Sequence, residues 1–331
     1  MAVDMKRREF ISIVGGATMW PLAVRAQPSE KMRRVGVLPT GYRQTDPEGQ
    51  ARIAAFRDTL GRLGWTDGRN VRVDVRWPGD ESDRVRIAAV VDSAPDAILI
   101  SGNAAMAILQ ELNKTTSTVF VQVSDPVGGG FVKSLSRPDG NLTGFQNFEP
   151  SMGGKWLGLL KEVAPTVMRA AVLVFSDTPV HLEFLRAAEA VAPSLGVQVS
   201  AISVQDSHEV ERDILRFADS PNGGLVVLPH PANINNRALL VELTARLGVP
   251  AIYPFNYFAT SGGLISYGFD QIEQWRGAAG YVDRILRGTK PADLPVQAPT
   301  KYELVVNLKA ARALGLTISP SLLATAVQVI E

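Results

Sequence analysis

Short apolar runs alternate with amphipathic stretches along this chain, and the alternation starts twice. Arg34 to Leu38, Ala97 to Ile100 and Val119 to Val123 have the length and continuity of strands covered on both faces. A helix after Pro47 places Ile53, Phe56, Leu60 and Leu63 on one side, and a second runs from Ala104 to Leu112. Asn70 to Trp77 alternates Val71, Val73, Val75 and Trp77 with Arg72, Asp74 and Arg76, a strand with one polar face. The series restarts after Pro150. Helices are expected over 153–163, 180–195, 208–218 and 235–247, and strands over 170–175, 197–204, 224–228 and 251–253. Such βα repetition specifies parallel sheets with flanking helices.

The last seventy residues complete these two units. Leu264 to Tyr267 reads as a strand, Gln271 to Arg287 as a helix, Tyr302 to Leu308 as a strand, and 309–314 and 321–326 as short helices. Pro291 and Pro295 stiffen the link between them. The expected architecture is α/β, with two Rossmann-like lobes of parallel sheet that the chain connects several times. Lobe 1 would hold residues 33–147 and 263–293, and lobe 2 residues 148–262 and 294–331. Repeated crossing of the chain makes a cleft between hinged lobes.

The N-terminus carries an address. Lys6, Arg7 and Arg8 precede Glu9-Phe10-Ile11, an apolar run extends to Val24, and Ala26 offers a cleavage point. Paired arginines before bulky apolar residues fit a twin-arginine signal, so residues 1–26 read as an export peptide. Gly15, Gly16 and Pro21 interrupt the run, which falls short of the roughly 18–20 residues of a spanning helix. The chain has 34 basic and 33 acidic residues, and loss of the leader leaves a net charge of about −1. That balance argues against nucleic acid as a partner. With no cysteine, thiol catalysis, thiolate metal sites and a lipid-anchored N-terminal cysteine are excluded.

Ligands of open parallel sheets bind beyond the carboxyl ends of the strands. The loops to search are therefore Pro39 to Tyr42, Ser101 to Asn103, Ser124 to Pro126, Ser176 to Thr178, Pro229 to Pro231, Pro254 to Asn256 and Phe269-Asp270. Candidate ligand-binding residues are Tyr42, Ser101, Gly102, Asn103, Asp125, Ser176, His230, Phe255, Asn256 and Asp270. Ser101-Gly102-Asn103 at a helix start can hold a carboxylate, or Ser101 or Asn103 can simply cap the helix. Asp125 fits either a ligand ammonium or an Asp-Pro turn. Tyr42, Tyr253, Phe255 and Tyr257 can wall a cleft or pack a core. His181, His208 and His230 lack metal-ligand spacing and read as surface or loop histidines. Gly128-Gly129-Gly130 lacks the Lys-Ser/Thr of a phosphate loop and reads as a flexible turn before a helix. No nucleophile elbow or HExxH motif is present, so no enzyme, cofactor or metal is expected.

Several blocks are similar to one family: RREFI and WPLAVRAQ in the leader, LGWTDGRNVRVDVRW at 63–77, SDPVGGGFVKSLSRPDGNLTG at 124–144, GGLISYGFD at 262–270, and the stretch from Tyr281 to Leu323. The chain resembles the periplasmic substrate-binding proteins of ABC transporters of the tryptophan/tyrosine-binding-like family, which have the type I periplasmic-binding fold; the resemblance implies two lobes joined by a three-strand hinge. It departs from the family at Asp139, where a glycine is usual, and at Val327-Gln328, where an acidic residue is usual.

The resemblance implies a monomeric periplasmic receptor without cofactor, which delivers a solute to permease subunits in the inner membrane. An aromatic or branched amino acid or related carboxylate is the expected ligand. In that picture the Ser101–Asn103 loop holds the carboxylate, Asp125 and Asp270 neutralise a cationic group, and Tyr42 and Phe255 cover the apolar part. A sensor feeding a membrane kinase or chemoreceptor would use the same clamp, and an exported hydrolase or transferase would need a nucleophile–base pair that the motifs do not supply. Residues 1–26 fused to a folded reporter should carry it out of the cytoplasm; retention of the reporter would contradict the leader reading.

Overall fold

Alternate residues of the first strands enter two different cores, because side chains on a strand point to opposite faces. In the computed structural model, which describes residues 32–204 and 209–331, Val35, Val37, Leu99, Val119 and Val121 face one apolar cluster. Leu38, Ile98, Ile100, Phe120 and Val123 face another. A sheet buried on both faces needs helices on both faces, and the chain supplies them.

The first series is β1 (Arg33–Leu38), α1 (Pro47–Arg62), β2 (Val71–Val75), α2 (Asp83–Asp92), β3 (Ala97–Ser101), α3 (Asn103–Leu112), β4 (Thr118–Val123) and β5 (Leu142–Gln146). Its five strands are all parallel, in the order β2-β1-β3-β4-β5. The second series is α4 (Met152–Val163), β6 (Arg169–Phe175), α5 (Val180–Leu195), β7 (Gln198–Val204), α6 (Glu209–Ala218), β8 (Gly223–Val227), α7 (Pro231–Asn235), α8 (Arg237–Arg246), β9 (Ala251–Tyr253), α9 (Asn256–Thr260) and β10 (Ile265–Gly268). Then come α10 (Gln271–Leu286), a 3-10 turn at Pro291–Asp293, β11 (Glu303–Asn307), α11 (Leu308–Ala313), α12 (Pro320–Thr325) and β12 (Gln328–Ile330). The second sheet runs β12-β11-β10-β9-β8-β6-β7, parallel except where β11 meets β10.

Sheet membership locates the crossings. The chain passes from β5 to α4 near Asn147, and from β10 to α10 near Phe269. It returns between Gln297, whose amide donates to the Gly144 carbonyl at 2.9 Å, and Glu303 at the start of β11. Strand β10, which the sequence division put in lobe 1, pairs in the second sheet. Leu294 and Val296, put in lobe 2, pack into the two cores of the first sheet. The second and third crossings therefore lie a few residues later than the sequence suggested. Helix α10 returns to lie on α1, with Trp275, Ala278, Ala279 and Val282 fully buried against it and the first sheet.

Local differences have local causes. The helix expected over 235–247 is α8, and a separate short helix, α7, precedes it, with Asn236 at φ −99° between them. No helix follows Gly130; residues 125–130 form a turn closed by Gly128 N–H on Asp125 Oδ1 (2.9 Å) and Gly129 N–H on the Asp125 carbonyl (2.9 Å). Asp139 has φ +65°, a left-handed conformation that explains the family's usual glycine there. Its own Oδ1 accepts from Gly140 N–H at 2.9 Å, and Lys133 pairs with its Oδ2. The leader and His208 fall outside the described residues.

Helices α4 and α5 touch along glycine. A Cβ on Gly153 would stand 2.0 Å from the Phe184 carbonyl oxygen, whereas one on Gly158 of the same helix would meet no atom within 4 Å. Gly153→Ala should therefore cost about 1–3 kcal/mol by forcing the helices apart. Gly158→Ala should gain about 0.5–1 kcal/mol from helix propensity. Urea unfolding of the two variants checks the contrast.

Candidate functional site

Strand order in each sheet reverses direction once, and the loops at those points splay apart to leave a crevice. In the first sheet the reversal lies between β1 and β3, so the loops bearing Thr40 and Gly102 open there. In the second it lies between β6 and β8, which carry Thr178 and His230. The two crevices face one another. The space left between them is about 30 Å³ and is lined by Thr40, Gly102, Asn103, Ala104, Gln122 and Asn147 on one side. Thr178, Pro229, His230, Pro231, Ile234 and Phe255 line the other.

The first wall is built around the start of α3. Thr40 N–H donates to Ser101 Oγ at 2.8 Å, and Thr40 Oγ1 donates to the Ser101 carbonyl at 2.5 Å. Gly102 has φ +86°, and a Cβ there would sit 2.8 Å from Thr40 Oγ1. Only glycine fits both demands. Asn103 Nδ2 donates to the Ser124 carbonyl (2.7 Å) and its Oδ1 accepts from Ser124 N–H (2.8 Å). With its side chain so used, Asn103 does not cap the helix, and no other side chain does. The first-turn N–H groups and the positive end of the helix dipole stay available beside the cleft. Gln122 takes φ +55° in a bulge of β4, held by its N–H to Gln274 Oε1 at 3.2 Å.

The second wall rests on two histidines. His181 is fully buried, contrary to its reading as a surface or loop residue. Its Nδ1 accepts from Phe175 N–H at 3.1 Å, so its Nε2–H is left to donate to the Pro229 carbonyl at 3.3 Å. Burial, helped by the neighbouring His230, pulls its pKa down to about 3. His230 is the N-cap of α7, where Nδ1 accepts from Ala232 N–H at 3.1 Å, and Nε2 faces Asp177 Oδ1 at 3.0 Å. That bond holds the Asp177 carboxyl below the usual range against the opposing effect of burial. One face of the His230 ring stacks on Phe175 at 3.7 Å. Both nitrogens are engaged within the protein, and His230 lines the cleft.

The walls are also joined beside the cleft. Asp46, which caps α1, binds Arg237 of α8 at 2.6 Å. Tyr42 is fully buried, donates to Gln271 Oε1 at 3.0 Å and lies 3.4 Å from the Tyr257 hydroxyl across the lobes. Arg52 is buried between the rings of Tyr42 (4.6 Å) and Tyr257 (5.6 Å) and bonds Glu48 and Gln271. Burial works against its charge, and the surrounding Tyr42, Tyr257 and Glu48 side chains outweigh that penalty. The lobes are closed on each other.

Four of the sequence candidates meet in the cleft: Gly102, Asn103, His230 and Phe255. The other six lie elsewhere. Ser101 is buried behind the wall against Thr40, and Tyr42 belongs to the lobe junction. Asp125 folds back on its own turn, while Ser176 and Asn256 are exposed outside the cleft lining. Asp270 caps α10 through Ile272 N–H (2.8 Å) and lines a separate hollow at the hinge with Phe145, Phe269 and Lys301. Thr40 and Thr178 lie in loops that the strand-end rule singles out, although they were not among the candidates, whereas Gln122, Asn147 and Ile234 lie outside those loops. Asn147 is the first residue beyond β5, and the strand-end rule would have found it had β5 been recognised.

The sequence model described as ABC transporter substrate binding protein matches residues 46–330. The chain belongs to this family. The substrate-binding protein is 22% identical over 295 residues to a tyrosine-binding protein of Clostridioides difficile, covering 87% of this chain and 82% of the relative. Among solved structures it resembles an ABC domain of Streptococcus pneumoniae in complex with L-Trp, at TM-score 0.81 and 24% identity, over 91% of this chain and all of the other. A conserved domain protein of Vibrio cholerae gives the same score and identity over 90% of this chain and all of the other. These likenesses establish the type I periplasmic-binding fold. The family is one of solute-binding proteins and not of enzymes.

The buried histidine gives the binding protein a pH signature. Between pH 6.5 and the folded value near 3, the unfolded chain binds a proton at His181 that the folded chain refuses. Stability therefore falls as pH falls, by up to about 1.4 kcal/mol per unit from this group. The depressed Asp177 acts in the same direction at lower pH. His181→Phe should be less stable at pH 7.5 but lose less between pH 6.5 and 4.5 in urea unfolding; unchanged slopes would refute the assignment.

Proposed function

We propose that this substrate-binding protein is the exported receptor of an ABC importer and closes its lobes on one small solute, an aromatic or branched amino acid or a related carboxylate. The observation that carries the reading is the cleft itself, where the carboxyl ends of both sheets converge and hinge crossings on one side leave the other side free to open. The uncapped start of α3 suits the carboxylate. The His230 ring and Phe255 suit a flat or branched apolar group, as the ligands named for the Clostridioides difficile and Streptococcus pneumoniae relatives would require.

In this reading the twin-arginine leader delivers a folded, monomeric receptor to the periplasm, and the closed form is recognised by permease subunits. Among the described residues no helix is long and apolar enough to cross a membrane, which suits a receptor handing its cargo to separate membrane subunits. Closure strengthens the polar contacts by excluding water.

Thermal-shift titration against amino acids and aromatic or branched acids tests the reading, after bound ligand has been removed by unfolding and refolding. Saturable stabilisation by at least one of them is expected. Arg237→Ala, which removes a partly buried contact made only when the lobes meet, should weaken that binding about 5- to 30-fold, the effect of about 1–2 kcal/mol on the closed state. Folded protein stabilised by none of these solutes would refute the proposal.

A further inference from the structure

Among the described residues, the cleft lining holds one buried polar atom without a hydrogen-bond partner. Asn147 is 2% exposed, and its Oδ1 has no hydrogen-bond partner although its backbone N–H is fixed on the Val123 carbonyl at 2.8 Å. Buried acceptors of this kind are few, and one that lines a cleft is placed to take its partner from a bound solute. Beside it stands Gln122, a non-glycine residue held at φ +55° by Gln274 and by a 3.5 Å contact from its Nε2 to the Tyr42 hydroxyl. Backbone held in a sparsely populated region by its surroundings is a common feature of ligand sites.

The charges around this atom are equally informative. The polar side chains lining the cleft are Thr40, Asn103, Gln122, Asn147, Thr178 and His230, and among the described residues no carboxylate lines it. Asp177 is more than half exposed and already accepts from His230 and from Thr178 Oγ1 at 3.0 Å. Asp125 and Asp270 are committed to their own turn and helix cap. A solute's ammonium enclosed here would give up its water for neutral acceptors alone, which is strongly unfavourable. A neutral O–H or N–H would satisfy Asn147 without that penalty, while the α3 start takes an anionic end.

We infer that Asn147 Oδ1 accepts a hydrogen bond from an uncharged donor next to the solute's carboxylate, so that the receptor prefers a 2-hydroxy acid to the amino acid of the same side chain. The inference rests on the receptor reading above and narrows its substrate class. Asn147 is then a specificity-determining residue, because it selects by the charge of the donor while the apolar wall of His230 and Phe255 selects by shape.

Three matched pairs test it by calorimetry on the refolded, ligand-free full-length mature chain: 3-phenyllactate and phenylalanine, indole-3-lactate and tryptophan, 2-hydroxyisocaproate and leucine. The hydroxy acid should bind at least tenfold more tightly in one or more pairs. Asn147→Ala should weaken that binding about tenfold, and Asn147→Asp, by supplying a counter-ion, should turn the preference toward the amino acid. An amino acid that binds the unaltered protein as tightly as its hydroxy partner, or a preference unmoved in Asn147→Asp, overturns the inference and leaves the receptor reading intact. So does binding of other carboxylates with none of the six bound. Failure of the folded protein to bind any solute overturns the receptor reading itself, and the inference with it.

Discussion

The Arg52 guanidinium is kept dry by side chains from both lobes, and much of the closed form depends on that. Tyr42, Glu48 and Gln271 are on its own side, but the second ring over it is Tyr257, carried by α9 of the other sheet's domain. A buried cation without its partners is costly, and a cation between aromatic rings gains about 2 kcal/mol or more once desolvated. Opening would return Arg52 to water and release Tyr257 and the Asp46–Arg237 pair together. The hydration that these groups recover therefore offsets the attraction they give up. A balance of this kind lets a small ligand decide the state, since a ligand shifts an equilibrium only by its difference in affinity for the two forms.

Topology places the chemistry where that balance can be used. Each sheet has one point where strand order reverses, the loops at those points carry Thr40 and Gly102 in one lobe and Thr178 and His230 in the other, and the crossings hold the pairs opposite each other. Buried His181 fixes the second wall from behind through Phe175 and Pro229. The first wall is fixed by Ser101 and Ser124, which engage Thr40 and Asn103. Ligand-facing groups are thus left with little freedom of their own.

What the sequence revealed follows from what its pattern encodes. Strands β1, β3 and β4 were legible because both faces are buried, giving unbroken apolar runs. Helix α2 was not, since its buried face includes Arg86, whose guanidinium bonds the Pro39 and Arg76 carbonyls at 3.2 Å. Strand β5 was hidden by Thr143, Gly144 and Gln146, polar or small residues that are buried because partners in the fold satisfy or crowd them. For the site, the strand-end rule located the loops, yet it could not say which side chain in each loop turns inward. Asp125 and Asp270 have the right chemistry and are used locally. Asn147 went unnoticed because β5 was hidden, and only packing discloses that its Oδ1 lacks a partner.

The central claim is that the cleft is a solute site closed by the meeting of two lobes. Native mass spectrometry of the mature protein, collected in folded form from its own host, tests this most directly. The account predicts a protein carrying one small molecule, released on unfolding, with the mass of a carboxylate of amino-acid size. Folded protein that carries no molecule, and takes none up from a concentrate of the host's growth medium, would contradict it.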